Sequence, residues 1–274
     1  MTERLLVNGS PSTPVSALDR GLAYGDGLFE TIRFVRGAAP LWSRHMARLH
    51  EGCQRLRLPL SDAEMLLREA GAVIDGLEHA VVRVTLTRGL GERGYAPSPT
   101  PTPTRIVAGF EAPAMSGDAY ANGLRVRWCD TRLAAQPLLA GLKHLNRLEQ
   151  VLARAEWSDP AIGEGLLCDS DGQVISGSMT NLFAMLDGVL VTPALNRCGV
   201  AGVARAEILA SQAEAQVRAV SASELAQASE IFLCSSVRGI LPVQALGDTV
   251  YVPGPVTRVL QQHWRGLGFE MEQA

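Results

Sequence analysis

The chain has 274 residues, of which 47% are hydrophobic and 19% charged, and this balance can bury the core of one large domain or two smaller ones. The formal net charge of -3 gives no excess of positive charge for a phosphate backbone, so nucleic acid is not an expected partner. The opening residues lack the apolar core of a signal peptide, and no apolar run approaches the ~18 residues of a membrane span. We therefore expect a cytoplasmic protein without a membrane partner.

The cysteines and histidines form no metal-binding pattern. Five cysteines are widely scattered without a CxxC spacing, and the five histidines form no HExxH. The sequence therefore predicts neither a disulfide framework nor a metal site.

The basic residues are 24 arginines and a single lysine, Lys143. Codon bias in a GC-rich genome replaces lysine by arginine wherever only charge matters, and the survival of one lysine by chance stays an alternative. Arginine remains protonated and cannot form an imine, whereas a desolvated lysine amine can attack a carbonyl. Lys143 is therefore a candidate nucleophile or base.

The first half of the chain alternates between strand and helix patterns. Ser61 and Glu64 form a capping-box pattern that opens a helix. The residues of 96–104 are rich in proline and predict a loop. Hydrophobic spacing predicts strands at 3–7, 27–35, 80–87 and 106–110, and a further helix at 44–57.

The second half begins after a linker that we expect at residues 113–121. Residues 145–157 have helical spacing, with Leu145, Leu148, Leu152 and Ala155 on one stripe. Hairpins are predicted around 170–172 and 187–188, a strand at 124–128, and helices at 202–212 and 255–267. Strands and helices mix without strict alternation, which predicts two α+β domains, residues 1–112 and residues 122–274.

Residues 89–94 match the nucleotide-binding pattern GxGxxG and follow a predicted strand. That pattern works only if a helix begins there and directs its N-terminus at a pyrophosphate. The proline-rich residues that follow cannot start a helix, so the nucleotide interpretation fails. The glycines instead predict a tight loop that carries Arg93 and Tyr95.

Two other segments contain groups that could bind a ligand or react with one. Residues 196–207 place two glycines and small residues before a helix, where free main-chain N–H groups can bind a phosphate. An ordinary junction between a loop and a helix is the alternative. Lys143 follows an apolar run just before a predicted helix, and apolar surroundings lower the pKa of an amine. A lysine that extends to solvent from a helix start is the alternative there.

These segments stand in an order that resembles a known family. The lysine segment reads LAGLKHLNRLEQVLAR, and it is preceded by DRGLAYGDGLFE at 19–30 and HMARL at 45–49. It is followed by TNLF at 180–183, GVAGVAR at 199–205 and CSS at 234–236. The set resembles the fold-type IV enzymes that depend on pyridoxal 5′-phosphate (PLP), and within them the aminodeoxychorismate lyases. The resemblance covers essentially the whole chain.

The resemblance implies a two-domain α+β fold like that of D-amino acid aminotransferase, with PLP between the domains. It also implies a homodimer. Lys143 would bind the cofactor covalently as an imine and act as the catalytic residue. By the same resemblance, Arg48, Val203, Ala204 and Ser236 would contact the cofactor phosphate, whereas Arg93 and Tyr95 would bind the substrate carboxylate.

One position departs from the family. Relatives have a glutamate opposite the pyridine nitrogen, five residues before the asparagine of NLF, and this chain has Ser176 there. A hydroxyl cannot hold the charged ring nitrogen by charge, so the ring is a weaker electron sink. This favours a lyase over an aminotransferase. The resemblance implies the reaction, elimination of pyruvate from 4-amino-4-deoxychorismate to give 4-aminobenzoate for folate synthesis. A branched-chain or D-amino acid aminotransferase and a non-catalytic PLP-binding protein are the alternatives.

Overall fold

The structure is a computed structural model that describes residues 4–11, 14–113 and 116–270. The chain divides into two compact units. The first unit comprises Met1–Pro113 and Leu142–Asn146, and the second comprises Ala114–Gly141 and Arg147–Ala274. Leu142–Asn146, called the lysine segment below, thus associates with the first unit although both flanking stretches of chain belong to the second.

The first unit is an antiparallel sheet covered by two helices. Its strand order is β2-β1-β5-β4-β3. The strands predicted at 27–35, 80–87 and 106–110 are all present, and the first predicted strand begins outside the described residues. The elements are β1 (Leu5–Val7), β2 (Ser10–Pro11), α1 (Arg20–Tyr24), β3 (Gly27–Val35), α2 (Trp42–Leu56), α3 (Ala63–Val73), β4 (His79–Thr87) and β5 (Thr104–Glu111).

The core of the first unit forms where α2 and α3 pack on the sheet. Alternate residues of β3 and β4 are apolar, so one face of each strand is buried against the helices. Asp62, not the predicted Ser61, caps α3 by accepting a hydrogen bond from the N–H of Glu64. The core contains Leu28, Ile32, Phe34, Met46, Leu49, Cys53, Leu66, Val73, Val82, Val84 and Val107.

The second unit is built on a larger mixed sheet with the order β11-β10-β9-β12-β13-β6-β7-β8, and β14 pairs with β13. Both predicted hairpins are present, as β7–β8 and β9–β10. The elements are α4 (Gly117–Ala121), β6 (Leu124–Leu133), α5 (Leu148–Arg154), β7 (Ile162–Asp169), β8 (Val174–Gly177), β9 (Asn181–Leu186), β10 (Val189–Pro193), α6 (Val203–Ser211), β11 (Gln216–Arg218), α7 (Ala222–Leu225), β12 (Glu230–Ser235), β13 (Gly239–Leu246), β14 (Thr249–Val250) and α8 (Pro255–Gly266).

The helix predicted at 145–157 is shorter than expected and exposes its apolar stripe. It runs only from Leu148 to Arg154, because the preceding residues belong to the lysine segment. Leu148 is 76% exposed and Leu152 is 61% exposed. The periodicity is helical from Leu148 to Arg154, as predicted, but this stripe does not face the core of the unit.

The predicted α+β class is confirmed in both units. Residues 117–121, which we expected in a linker, form α4, where Ser116 caps the helix by accepting from the N–H of Ala119. In the part of the chain that the structure describes, no helix has both the length and the apolarity that a bilayer span needs.

Candidate active site

Lys143 lies on an extended segment that is hydrogen-bonded along the edge of β3. The N–H of Phe29 donates to the carbonyl of Lys143 at 3.0 Å, and the N–H of Leu145 donates to the carbonyl of Gly27 at 3.0 Å. A Cβ at position 27 would lie 2.4 Å from the carbonyl oxygen of Leu86 on β4 and 2.9 Å from Cδ1 of Leu145, so glycine allows the close approach of both neighbours. We predicted Lys143 directly before a helix, whereas α5 begins only at Leu148.

The ring of Phe29 contacts both Lys143 and an arginine that sequence analysis did not single out. Nζ of Lys143 lies 4.2 Å from the ring centroid, and Cζ of Arg83 lies 4.1 Å from the same centroid. Both distances are in the range of cation–π contacts. Desolvation lowers the pKa of Arg83, and among the described residues this side chain has no ion-pair partner. The amine of Lys143 and the guanidinium of Arg83 therefore both lie at the ring of Phe29.

A buried carboxylate organises the HMARL motif of α2. Nε of Arg48 donates to Oε1 of Glu30 at 2.8 Å, and a second guanidinium nitrogen donates to Oε2 at 2.5 Å. Nδ1 of His45 lies 2.6 Å from Oε2. His45 and Arg48 are three residues apart on one helix, so both side chains point to the same carboxylate. Arg48, the expected phosphate ligand, is therefore held in place by Glu30 on β3.

The electrostatics of this cluster favour an ionised Glu30. Burial raises the pKa of Glu30, but the charge of Arg48 and the hydrogen bonds from His45 and Arg48 outweigh burial and lower the pKa to about 2. Burial lowers the pKa of His45, and the nearby charges of Arg48 and Lys143 lower it further. The hydrogen bond to Glu30 opposes this shift but does not cancel it. The cluster thus keeps the buried carboxylate of Glu30 ionised.

In the second unit, the motifs TNLF and GVAGVAR meet at the start of α6. Gly202 is the N-cap and no side chain caps this helix, so its first main-chain N–H groups have no side-chain acceptor. A Cβ at Gly202 would lie 2.0 Å from Oδ1 of Asn181, so the asparagine packs directly on the helix start. Val203 and Ala204, the expected phosphate ligands, are the first two residues of α6 and are buried.

Ser176 is buried in β8 and its hydroxyl donates to the carbonyl of Gly177 at 2.9 Å. A buried carboxylate that sequence analysis missed lies close by. Glu164 in β7 accepts hydrogen bonds from the hydroxyl of Ser178 at 2.5 Å and from that of Thr180 at 3.2 Å. A Cβ at Gly177 would lie 3.0 Å from Cγ of Glu164. The signal that could have found Glu164 is an acid within a strand of mostly apolar residues.

The remaining predicted residues lie in loops. Ser236 is in the turn between β12 and β13. Arg93 and Tyr95 are in the loop that follows β4, where the side chain of Tyr95 is 85% exposed. Arg93 is also exposed and makes no hydrogen bond or ion pair with the residues that the structure describes. The first unit thus holds Lys143, Arg48, Arg93 and Tyr95, and the second unit holds Ser176, Val203, Ala204 and Ser236.

Comparison with known proteins identifies relatives along nearly the whole chain. The family model for class IV amino-transferases matches residues 27–246. The aminodeoxychorismate lyase of Vibrio harveyi is 36% identical, over 93% of this chain and 97% of that protein. The crystal structure of 4-amino-4-deoxychorismate lyase from Pseudomonas aeruginosa is 50% identical with a TM-score of 0.91, over 96% of this chain and 98% of that one. The branched-chain amino acid aminotransferase of Escherichia coli is 26% identical with a TM-score of 0.85, over 99% and 96%. The predicted resemblance is confirmed.

The ionised state of Glu30 predicts a pH-dependent contribution to stability. A carboxyl whose pKa is lowered on folding stabilises the protein above its unfolded pKa, and that contribution disappears as pH falls through the folded pKa. The pKa of Glu30 is lowered from 4.5, its ordinary value, to about 2 in the folded protein. Glu30→Gln should therefore lower the free energy of unfolding by roughly 3 kcal/mol near neutral pH. The difference from the unsubstituted protein should shrink as pH falls from about 4.5 towards 2. Urea unfolding at several pH values measures it.

Glu78→Gln is the matched control, because Glu78 pairs with Arg36 at 3.1 Å on the surface of the same unit. An exposed pair contributes only about 0–1 kcal/mol, so this variant should behave like the unsubstituted protein. A loss for Glu30→Gln that is the same at every pH would contradict the assignment of an ionised Glu30.

Proposed function

The chain belongs to the class IV aminotransferase family, and we propose that within this family it acts as an aminodeoxychorismate lyase. Such an enzyme eliminates pyruvate from 4-amino-4-deoxychorismate and leaves 4-aminobenzoate, a precursor of folate. The observation that carries the proposal is the higher identity to two lyases than to the aminotransferase of E. coli, over nearly the whole chain in each case.

The cofactor that we propose is PLP, which has an aldehyde and a phosphate. The donor set of the chain fits both groups, because Lys143 is its only side-chain primary amine and α6 begins with uncapped main-chain N–H groups. Arg48, the amides of Val203 and Ala204, and the hydroxyl of Ser236 are the proposed phosphate ligands. When bound, the cofactor supplies an electron sink for the substrate carbon that carries the amine.

Lys143 has two roles in this proposal. Its Nζ would hold the cofactor covalently. With substrate bound, the same Nζ would remove the proton from the ring carbon that carries the substrate amine. The contact with Phe29, at 4.2 Å, limits where this nitrogen can move. Departure of the enolpyruvyl group makes the remaining ring aromatic, which drives the reaction towards 4-aminobenzoate.

Two arginines of the first unit are proposed to bind the two carboxylates of the substrate. Arg83 stacks on the ring that Lys143 also contacts, and Arg93 lies in the loop after β4 with Tyr95. Among the described residues neither guanidinium is neutralised by a carboxylate. Guanidinium groups bind carboxylates through paired hydrogen bonds, so both arginines are suited to an anionic substrate.

Ser176 supports elimination over transamination. We propose that it faces the pyridine nitrogen, where related enzymes have a carboxylate. Its hydroxyl proton is used in the bond to the carbonyl of Gly177, which leaves its oxygen lone pairs as acceptors only. A neutral acceptor stabilises a charged ring nitrogen less than a carboxylate does. A weaker electron sink is sufficient for an elimination that yields an aromatic product.

A homodimer is supported by an exposed apolar stripe on α5. Val151 is 60% exposed, and it continues the stripe of Leu148 and Leu152 at helical spacing. Apolar patches of this kind are covered by a partner in many soluble proteins. We propose that a second copy of the chain covers the stripe.

The thiols are consistent with a reducing compartment such as the cytoplasm. Cys53, Cys129, Cys168, Cys198 and Cys234 are all unpaired and buried. Burial raises the pKa of Cys53 to about 11, so this thiol stays protonated and unreactive.

The lyase assignment predicts products without a second substrate. The purified holoenzyme should convert aminodeoxychorismate to pyruvate and 4-aminobenzoate in equal amounts with no keto acid added. An aminotransferase would instead need a keto acid.

Lys143→Arg should keep the positive charge and lose nearly all turnover, because the chain has no other side-chain amine. Borohydride reduction should fix the cofactor on the Lys143 peptide, and an unmodified Lys143 in fully reduced protein would contradict the assignment.

The arginines should separate into two classes. Arg48→Ala should weaken PLP binding by about ten- to a hundredfold, since a charge-assisted contact contributes roughly 1.5–3 kcal/mol. Arg83→Ala and Arg93→Ala should raise KM and leave PLP affinity nearly unchanged. Arg48→Lys serves as the control, because it keeps a cation beside the buried Glu30. Equal loss of PLP in all three alanine variants would show that this division is wrong.

The dimer proposal predicts dissociation when α5 is charged. Leu148→Glu with Val151→Glu should convert a dimer to a monomer in sedimentation experiments, because burying two carboxylates in an interface is costly. Val250→Glu is the control, since Val250 is 75% exposed on β14 and lies outside the stripe. A double variant that sediments like the unsubstituted protein would contradict the proposal.

A further inference from the structure

Arg20 is a buried arginine whose donors connect two parts of the first unit. It is the first residue of α1 and is only 5% exposed. Its Nε donates to Oδ2 of Asp26 at 2.9 Å, while its terminal nitrogens donate to the carbonyls of Gly94 at 2.9 Å and Tyr95 at 3.0 Å. One guanidinium thus ties the start of β3 to two successive peptide groups of the loop that follows β4.

The same loop also contacts α1 through Tyr24. The N–H of Gly94 donates to the hydroxyl of Tyr24 at 3.3 Å, and the rings of Tyr24 and Tyr95 lie 5.4 Å apart. The N–H of Arg20 donates to the carbonyl of Gly89 at 2.9 Å where the loop begins. Residues 91–103 contain no helix or strand, so these contacts with α1 hold the chain where no sheet or helix hydrogen bonds do.

The glycines of the GxGxxG pattern fit the loop to Arg20. A Cβ at Gly91 would lie 2.7 Å from Cδ of Arg20, in the middle of the side chain where it cannot easily move away. Gly89 has φ +80° and a Cβ there would lie 1.9 Å from the carbonyl oxygen of Thr102, so the two ends of the loop meet closely. The pattern that suggested a nucleotide site therefore serves to pack this loop.

Arg93 lies immediately before the peptide groups that Arg20 holds. Its own guanidinium is exposed and makes no hydrogen bond or ion pair with the described residues, so it is available to a ligand. We propose that Arg20 is a positioning residue, which fixes the loop so that Arg93 is presented to the carboxylate of the substrate. This inference rests on the proposed function, because it assumes that Arg93 binds a substrate carboxylate.

Removing Arg20 should leave the rest of the unit folded. Asp26 also accepts two hydrogen bonds from Arg88, at 2.8 and 3.0 Å, and Arg88 in turn donates to the carbonyls of Leu56 and Arg57. Burial raises the pKa of Asp26, but hydrogen bonds from Arg88 and Arg20 outweigh it and lower the pKa. Asp26 therefore keeps a cationic partner in an Arg20 variant.

The experiment compares Arg20→Gln with Arg4→Gln in the holoenzyme. Arg4 is the matched control, because it also donates to two main-chain carbonyls, those of Val73 and Asp75, at 3.2 and 3.0 Å. Trypsin cleavage after Arg93 is followed by mass spectrometry, and KM and kcat are measured for pyruvate release. The dissociation constant of chorismate, which has the two carboxylates of the proposed substrate without its amine, is measured by calorimetry.

Arg20→Gln should accelerate cleavage after Arg93, raise KM and the chorismate dissociation constant about tenfold, and change kcat by less than about twofold. Arg20→Lys should have an intermediate effect, since one ammonium cannot reach all three acceptors in the geometry of the guanidinium. The effect on chorismate should vanish in an Arg93→Ala background, because residues that act through one another are not additive. Arg4→Gln should match the unsubstituted protein.

Unchanged cleavage in Arg20→Gln would overturn the anchoring of the loop. If Arg20→Gln weakens chorismate binding equally in the unsubstituted and the Arg93→Ala backgrounds, Arg20 does not act through Arg93. The same conclusion follows if Arg93→Ala alone leaves chorismate binding unchanged. A holoenzyme that binds chorismate in the expected pattern but releases no pyruvate would contradict the proposed function alone.

Discussion

Two main-chain hydrogen bonds join β3 to the lysine segment, one at Lys143 and one at Leu145. They place the amine of Lys143 beside the ring of Phe29, on an edge strand of the first sheet. A hydrogen-bonded strand edge is more rigid than a loop, so the nitrogen is held on regular secondary structure. The position of Lys143 therefore depends on β3 and not on the helix that follows it in the sequence.

Each residue of the motif DGLFE at 26–30 makes a different structural contact. Asp26 pairs with Arg20 and Arg88, and Gly27 leaves room for the lysine segment. Leu28 is buried in the core, while Phe29 contacts Lys143 and Arg83. Glu30 holds Arg48 and His45. One short strand thus connects the proposed covalent site, the proposed phosphate ligand and the loop of Arg93.

Three buried or partly buried carboxylates are held by hydrogen bonds within their own units. Glu30, Asp26 and Glu164 each accept several hydrogen bonds. An unpaired buried charge would cost several kcal/mol, so each acid requires its donors to be in place. Because those donors lie on other elements or loops of the same unit, each acid also specifies which neighbouring elements come together. The local geometry of the candidate site is a consequence of this pairing.

Local patterns were sufficient for most elements of the first unit. The limits of β3 were predicted correctly because its alternation ends at the Arg36-Gly37 turn, where both residues have positive φ. The predicted start of α5 was wrong. Helical spacing continues back to Leu145, but pairing with β3 keeps that residue extended. Motif resemblance made Arg48 and Lys143 candidate site residues, but it did not predict their contacts with Glu30 and Phe29. Spacing alone cannot show which side chains meet across a sheet.

The abundance of arginine has a structural explanation in addition to codon bias. Arg20, Arg48 and Arg88 each place two or more guanidinium nitrogens on separate acceptors. An ammonium has no planar fork and cannot satisfy such sets at the same distances. Bias alone would place arginine equally well at Lys143, where one nitrogen lies over an aromatic ring. Retention of lysine at that position agrees with a requirement for an amine that can lose its proton and form a covalent bond, which a guanidinium cannot meet.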